Sequence, residues 1–262
     1  MANLAGRVGS YTRRVRLTVL GSNGTYPTPG HPASGYLVTA GATLWIDAGP
    51  GTLTALMSAF DPGDVDAVVL SHGHGDHCLD MLPFFNFLRY GNPPREALPV
   101  FAPAGVAERL AAFIGASPGH PFFRTFDFVE VGAGATAETG DLRISWGEAS
   151  HPVPAVVTRI EADGVSLAYS GDTGPGGDLV EMAAGVDVLL CEATSQGTRA
   201  AGDFPYHLFA DEAGRAASAA GAGRLLVTHL APTLDPTVSV SEAAAEFEGP
   251  VEWAAPGLEV QL

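Results

Sequence analysis

The stretch Ser71-His72-Gly73-His74-Gly75-Asp76-His77-Cys78 decides how this chain is read. It places three of the chain's eight histidines and one aspartate between positions 72 and 77. Glycines at 73 and 75 let the backbone turn tightly, so the flanking side chains can converge. His72 and His74 stand two apart, and in an extended segment they point to the same side. Asp76 and His77 are adjacent at what reads as a helix start, and they address a neighbouring point. Neutral imidazole and carboxylate are ligand types that zinc accepts. The spacing offers ligands to two metal ions rather than to one.

The surroundings fit that reading. "VDAVVLS" (65–71) is a short apolar run with the pattern of a buried strand, and "LDMLPFFNFLRY" (79–90) reads as a helix. Upstream, strands are predicted in "RVRLTVLG" (14–21), "SGYLVTAG" (34–41) and "ATLWIDAG" (42–49), then a helix in "GTLTALMSAF" (51–60). Downstream come the strand "LPVFAP" (98–103) and the helix "GVAERLAAFIG" (105–115). Four successive strands are expected in "FDFVEVGAG" (126–134), "LRISWGEAS" (142–150), "AVVTRIEAD" (155–163) and "VSLAYSG" (165–171). A short helix (177–185), a strand (186–193), a helix (207–221), the strand "RLLVTHL" (224–230), a helix (239–247) and a last strand "VEWAAPG" (251–257) complete the pattern. This order suits two sheets packed face to face with helices outside.

One segment cannot fill two coordination spheres. Three further donors stand at strand ends: His151 in "GEASHPVP", Asp172 in "YSGDTGP" and His229 in "VTHL". Each repeats one arrangement, an apolar strand delivering a His or Asp at its C-terminal end, where a rigid scaffold carries its functional loops.

Composition sets outer bounds. The 262 residues suffice for one domain spanning 1–262, and the spread of Gly and Pro marks turns rather than a hinge. No apolar run approaches the ~20 residues that span a bilayer. The N-terminus lacks the pattern of a secretory signal, so the expected location is the cytoplasm. Cys78 and Cys191 read as small buried residues, not as a disulfide framework. The net charge of −16 disfavours extended nucleic-acid binding, which relies on Lys and Arg to displace counterions. The one dense basic cluster, Arg13, Arg14 and Arg16, reads as a solvated strand edge or N-terminal arm.

The order H-x-H-x-D-H, a single His, an Asp in "SGDT" and a final His after a strand resembles the metallo-β-lactamase superfamily, across nearly the whole chain. The resemblance implies an α/β fold, the αββα sandwich of two mixed β-sheets flanked by helices. It implies two zinc ions per chain. One would be held by His72, His74 and His151, the other by Asp76, His77 and His229, with Asp172 bridging both. Asp172 stands where class B β-lactamases carry Cys, which favours the binuclear hydrolases: phosphodiesterases, glyoxalase-II-like thioesterases and lactonases. His74 stands where the di-iron flavoproteins of the superfamily place an acid, which favours zinc over an oxygen-reducing centre.

Further segments resemble the ribonuclease Z-like branch. "LLCEATS" (189–195) is similar to its "HEAT"-type motif, with Glu192 retained and Cys191 in place of the His. "YHLFADEAGRAASAAG" (206–221) is similar to its "HST…A…A" segment, with His207 matching the histidine. "TVLGSNGTYPTPG" (18–30) resembles its glycine-rich loop. In that branch the His and Glu work together beside the leaving group. The implied chemistry is phosphodiester cleavage. Two zincs lower the pKa of a shared water to ~7, Asp76 orients it, and His207 acts as general acid with Glu192 fixing its tautomer.

Three features separate the chain from pre-tRNA processing. Only 20 residues lie between His151 and Asp172, where ribonuclease Z carries its tRNA-gripping arm. The surface is acidic. "GHPASGY" (30–36) stands where the processing enzymes usually carry an arginine. The expected substrate is therefore a small phosphodiester, cyclic nucleotides included. Two alternatives stay open: zinc-dependent hydrolysis of a carboxylic or sulfate ester, lactone, thioester or β-lactam-like amide, and a non-catalytic zinc-binding scaffold. Against the scaffold, all seven ligand positions are filled. Related enzymes are often homodimers, so the resemblance allows a homodimer. The loop 195–206 and the aromatic "HPFFRTFDF" (120–128) are expected to cover the site or pack a dimer face.

Overall fold

Runs of branched and aromatic residues bounded by turns form the strands, and a computed structural model, describing residues 15–91 and 93–262, assembles them into two seven-stranded sheets. The first sheet runs in order through β1 (Arg16–Gly21), β2 (Gly35–Thr39), β3 (Thr43–Ile46), β4 (Ala67–Val69), β5 (Leu98–Ala102) and β6 (Phe126–Glu130). The second runs through β7 (Thr136–Thr139), β8 (Leu142–Glu148), β9 (Val156–Ala162), β10 (Val165–Tyr169), β11 (Val188–Glu192), β12 (Leu225–Thr228) and β13 (Val251–Trp253). The last strand, β14 (Glu259–Gln261), returns to the first sheet beside β1. Both sheets are mixed: β14-β1-β2-β3 and β7-β8-β9-β10 pair antiparallel, β3 to β6 and β10 to β13 parallel.

Strands buried on both faces need apolar residues on both, and these have them. Along β3, Leu44 and Ile46 face the opposite sheet, where Ile144, Trp146, Ile160, Leu167 and Leu190 meet them. Trp45, between them in sequence, faces outward with Val68 and Val100 onto Leu56, Phe84 and Leu110. Those last three belong to α1 (Thr52–Ala59), α3 (Met81–Arg89) and α4 (Val106–Phe113); the one-turn helices α2 (Gly75–Cys78) and α5 (Phe122–Thr125) lie on the same half. The outer face of the second sheet, through Val157, Ala168, Leu189 and Val227, packs on α6 (Leu179–Met182), α7 (Ala210–Ala220) and α8 (Pro236–Ala244). Three apolar layers between four structural layers make the αββα sandwich that the resemblance implies.

Two strands escape the sequence reading. β7, TAET, has no buried position, and β14, EVQ, has one. Both are edge strands fixed by backbone pairing to a neighbour, which leaves little hydrophobic pattern to read. "VEWAAPG" is therefore not the last strand. The aromatic segment 120–128 packs inward through Phe122 and Phe126, buried against Phe84 and Phe85, while Phe123 is 40% exposed.

Arg13 and Arg14 lie outside the described residues, while Arg16 is exposed at its strand edge opposite Glu259. Cys78 and Cys191 are free and buried. Among the described residues no helix is long and apolar enough to cross a membrane. β9 and β10 are joined by Asp163 and Gly164, at φ 50° and 81°, as a two-residue type I′ hairpin requires.

Candidate metal centre

The site is built where strand ends from both sheets meet. Beyond β4 the chain runs through Leu70 and Ser71 to His72, which bridges to Ala155 and so draws in the segment carrying His151. His74 is the N-cap of α2, which carries Asp76 and His77. Asp172 follows β10, Glu192 ends β11 and His229 follows β12. His229 has φ 52°, a left-handed conformation that costs energy for a non-glycine residue and concentrates at functional sites. Gly24 passes so close that a Cβ there would stand 2.8 Å from the His229 carbonyl oxygen and 2.9 Å from its ring.

The seven predicted ligands come together in two groups that share one residue. In the first, His72 Nε2 and His151 Nε2 lie 3.0 and 3.1 Å from His74 Nδ1, and Asp172 Oδ2 lies 3.6 Å from His72 Nε2. In the second, Asp172 Oδ1 lies 3.2 Å from His77 Nε2 and 3.4 Å from His229 Nε2. Asp76 Oδ2 lies 3.7 and 3.4 Å from the same two nitrogens. Asp172 thus turns one oxygen to each group.

The residues fit a pair of cations. Zinc–ligand bonds of about 2.0–2.1 Å in a tetrahedron put the donors about 3.3–3.4 Å apart, and the observed separations of 3.0–3.7 Å bracket that edge. His77 Nε2 and Asp172 Oδ1 are buried and make no hydrogen bond, which a cation between them would remedy. Burial holds His72 well below the ordinary histidine range, and lowers His74 and His151 as well, leaving their lone pairs unprotonated. Burial also works against charge on His77, but the Asp172 and Asp47 carboxylates override it and raise its pKa, so positive charge is favoured there. Asp172 is the counterpart: burial would raise it, and His229, His77 and His72 hold it well below the carboxylate range.

The candidate ligands are themselves held. Asp47, fully buried, accepts from His77 Nδ1 (2.7 Å), Ser71 N (2.7 Å), Ser71 Oγ (2.8 Å) and Tyr169 Oη (2.7 Å). His151 Nδ1 donates to the Tyr206 carbonyl (3.1 Å), and His229 Nδ1 meets Thr194 Oγ1 (2.8 Å). The Thr25 N–H donates to Asp76 Oδ2 at 2.8 Å. Such partners fix the ring orientation and basicity of a ligand. The sequence reading misses Asp47, Tyr169, Thr194 and Thr25. Asp47 was within reach, since "WIDAG" delivers an acid at a strand end by the same pattern that picks out Asp172.

Glu192 and His207 also meet. Glu192, fully buried, accepts from Thr173 N (2.7 Å), Leu208 N (3.1 Å) and Thr194 Oγ1 (2.6 Å), and its Oε1 lies 3.1 Å from His207 Nδ1. His207 Nδ1 is 3.8 Å from Asp172 Oδ2, and its ring stacks on His229. Burial pulls the His207 pKa down, but the hydrogen bond and charge of Glu192 outweigh it and leave the group raised. His207 thus holds a proton more readily than an ordinary imidazole does, beside the shared carboxylate.

Known proteins share this chain's fold and family. A family model described as the beta-lactamase superfamily domain matches residues 43–230. The chain is 43% identical over 247 residues to the uncharacterized protein Rv1339 of Mycobacterium tuberculosis, covering 90% of this chain and 88% of that one. It is 30% identical over 266 residues to ribonuclease Z of Mycobacterium bovis, covering 91% and 95%. Among solved structures, the metallo-beta-lactamase fold protein YhfI from Bacillus subtilis superposes with a TM-score of 0.85 at 26% identity, over 95% of this chain and 100% of that one. With its two mixed sheets and paired His/Asp clusters, the chain belongs to the metallo-β-lactamase superfamily, in its ribonuclease Z-like branch.

Proposed function

We propose that the chain is a dinuclear zinc hydrolase acting on a small phosphodiester. The observation that carries this reading is Asp172, with one oxygen toward each cluster and the His207–Glu192 pair beside it. His72, His74 and His151 would hold one ion, Asp76, His77 and His229 the other, and Asp172 both. When bound, the ions supply a water of lowered pKa and positive charge against the phosphoryl oxygens.

The rest falls to side chains. Asp76 has Oδ2 engaged by Thr25 and the neighbouring histidines, and its carboxylate would orient the attacking water. His207, with Nδ1 on Glu192, donates the proton on Nε2 to the leaving oxygen. As the water's oxygen bonds to phosphorus and its proton passes to solvent, the P–O bond to the leaving group breaks; that electron pair passes to the leaving oxygen, which takes the His207 proton and departs as the alcohol, leaving a phosphomonoester.

Similarity to ribonuclease Z over nearly the full length of both chains supports a phosphodiester. A small one is supported by the link from His151 to Asp172, whose only strands are β9 and β10 around the tight Asp163–Gly164 turn. The net charge of −16 argues the same way against a long polyanion. The test is zinc analysis of the purified protein, then turnover of bis(p-nitrophenyl) phosphate, a lactone and a thioester with and without chelator. Two zincs per chain and chelator-sensitive cleavage of the phosphodiester are expected. Turnover of the lactone or thioester alone would sink the phosphodiester assignment, and a metal-free active protein would sink the metal assignment.

A further inference from the structure

Segment 204–207 carries His207 to the site with no helix or strand of its own. Something else must fix it. We infer that Arg199 is the positioning residue for His207, and the inference rests on the general-acid role proposed above.

Arg199 lies in the loop between β11 and α7, with 21% of its side chain exposed. Its Nε and one terminal nitrogen grip the two oxygens of Glu212, at 2.7 Å each. The same terminal nitrogen donates to the His207 carbonyl at 2.5 Å, and the other donates to the Phe204 carbonyl at 2.8 Å. The guanidinium also lies 4.8 Å over the Phe209 ring. Glu212 is anchored in turn, since its Oε2 accepts the Phe209 N–H at the start of α7. One side chain therefore ties both ends of the 204–207 segment to the first turn of a helix.

Between those ends the segment is pressed onto the site. The Pro205 carbonyl oxygen stands 1.7 Å from where a Cβ on Gly174 would be, so only glycine allows the approach. The Tyr206 carbonyl accepts from the proposed ligand His151. The His207 ring then lies between Phe204 (centroids 6.0 Å apart, 27°) and His229 (5.6 Å, 10°). The plane of the ring follows from where the backbone is clamped. A planar fork with five donors can serve two carboxylate oxygens and two carbonyls at once, whereas a lysine ammonium cannot span them.

A helix-capping role alone would make a different prediction. Glu212 already caps α7 through Phe209 N, so loss of Arg199 should release the 204–207 segment while leaving the helix formed. A misplaced acid matters most where the leaving group needs its proton. The experiment compares the zinc-loaded natural protein, Arg199→Ala, His207→Ala and the double variant on methyl p-nitrophenyl phosphate, a good leaving group, and methyl phenyl phosphate, a poor one.

His207→Ala should slow the phenyl ester by at least ~100-fold and the nitrophenyl ester far less. Arg199→Ala should show the same bias more weakly, roughly 10- to 50-fold on kcat for the phenyl ester with KM within about 2-fold. The double variant should be no slower than His207→Ala. In the zinc-free protein the Leu208 amide, which donates to Glu192 beside His207, should exchange about 10-fold faster in Arg199→Ala, with the interior of α7 as protected as before. Equal slowing of both esters by Arg199→Ala, or loss of protection throughout α7, overturns the inference and leaves Arg199 a stabilising residue. Absence of leaving-group bias in His207→Ala overturns the acid assignment itself. Bias in His207→Ala without bias in Arg199→Ala removes only the positioning role.

Discussion

Asp47 shows how much a single buried carboxylate can organise. It receives four hydrogen bonds, from His77, Ser71 and Tyr169, and so ties a proposed ligand on α2 to a tyrosine of the second sheet. Asp47→Asn keeps the volume but puts an amide donor where only acceptors are wanted. Zinc affinity is expected to fall about 10- to 100-fold, measured by competition with a chromogenic chelator, with secondary structure unchanged by circular dichroism. His207→Ala should behave oppositely, retaining both zincs while turnover of a poor leaving group falls by about 10²–10⁴-fold; zinc analysis beside steady-state kinetics separates the two. The difference in legibility between these residues is physical. The histidines at 72, 74 and 77 announce themselves because their ligand function fixes a local spacing. Asp47 stands at a strand end, which marks it as a candidate, but its partners lie 24, 30 and 122 positions away, so no local pattern records which groups it joins.

At the level of elements, twelve of the fourteen strands follow from apolar runs, because burial of one or both faces, complete in β3 and β4 and partial in β6 and β13, leaves a signal that does not depend on which residues pair. The edge strands β7 and β14 have no such signal. Helices α7 and α8 illustrate packing that no propensity scale anticipates. Gly214 lies inside α7, where alanine would ordinarily gain up to about 1 kcal/mol. Here a Cβ would stand 2.3 Å from the Ala243 carbonyl oxygen of α8. Overpacking of this kind costs about 1–3 kcal/mol, so the clash should win. Gly214→Ala is expected to lower the denaturant midpoint, and a midpoint that rises would mean that the helices separate without cost.

For the molecule as a whole, charge governs what can approach. A net charge of −16 opposes a long polyanion, while the proposed small diester would meet chiefly the local field of the site. A single-stranded oligonucleotide in excess is expected to leave small-diester hydrolysis uninhibited at 0.15 M salt. Lowering the salt should not bring inhibition on, whereas a basic groove would bind more tightly as salt falls. Steady-state rates across a salt series check this. The Asp163–Gly164 hairpin lies at the start of β10, and Asp172 lies past its far end, separated by roughly 20 Å of extended chain. A fluorescent tag or an affinity peptide spliced into that reversal would hang like a handle on the rim away from the chemistry. The protein could then be tethered to a surface or a sensor there with its catalytic mouth turned outward.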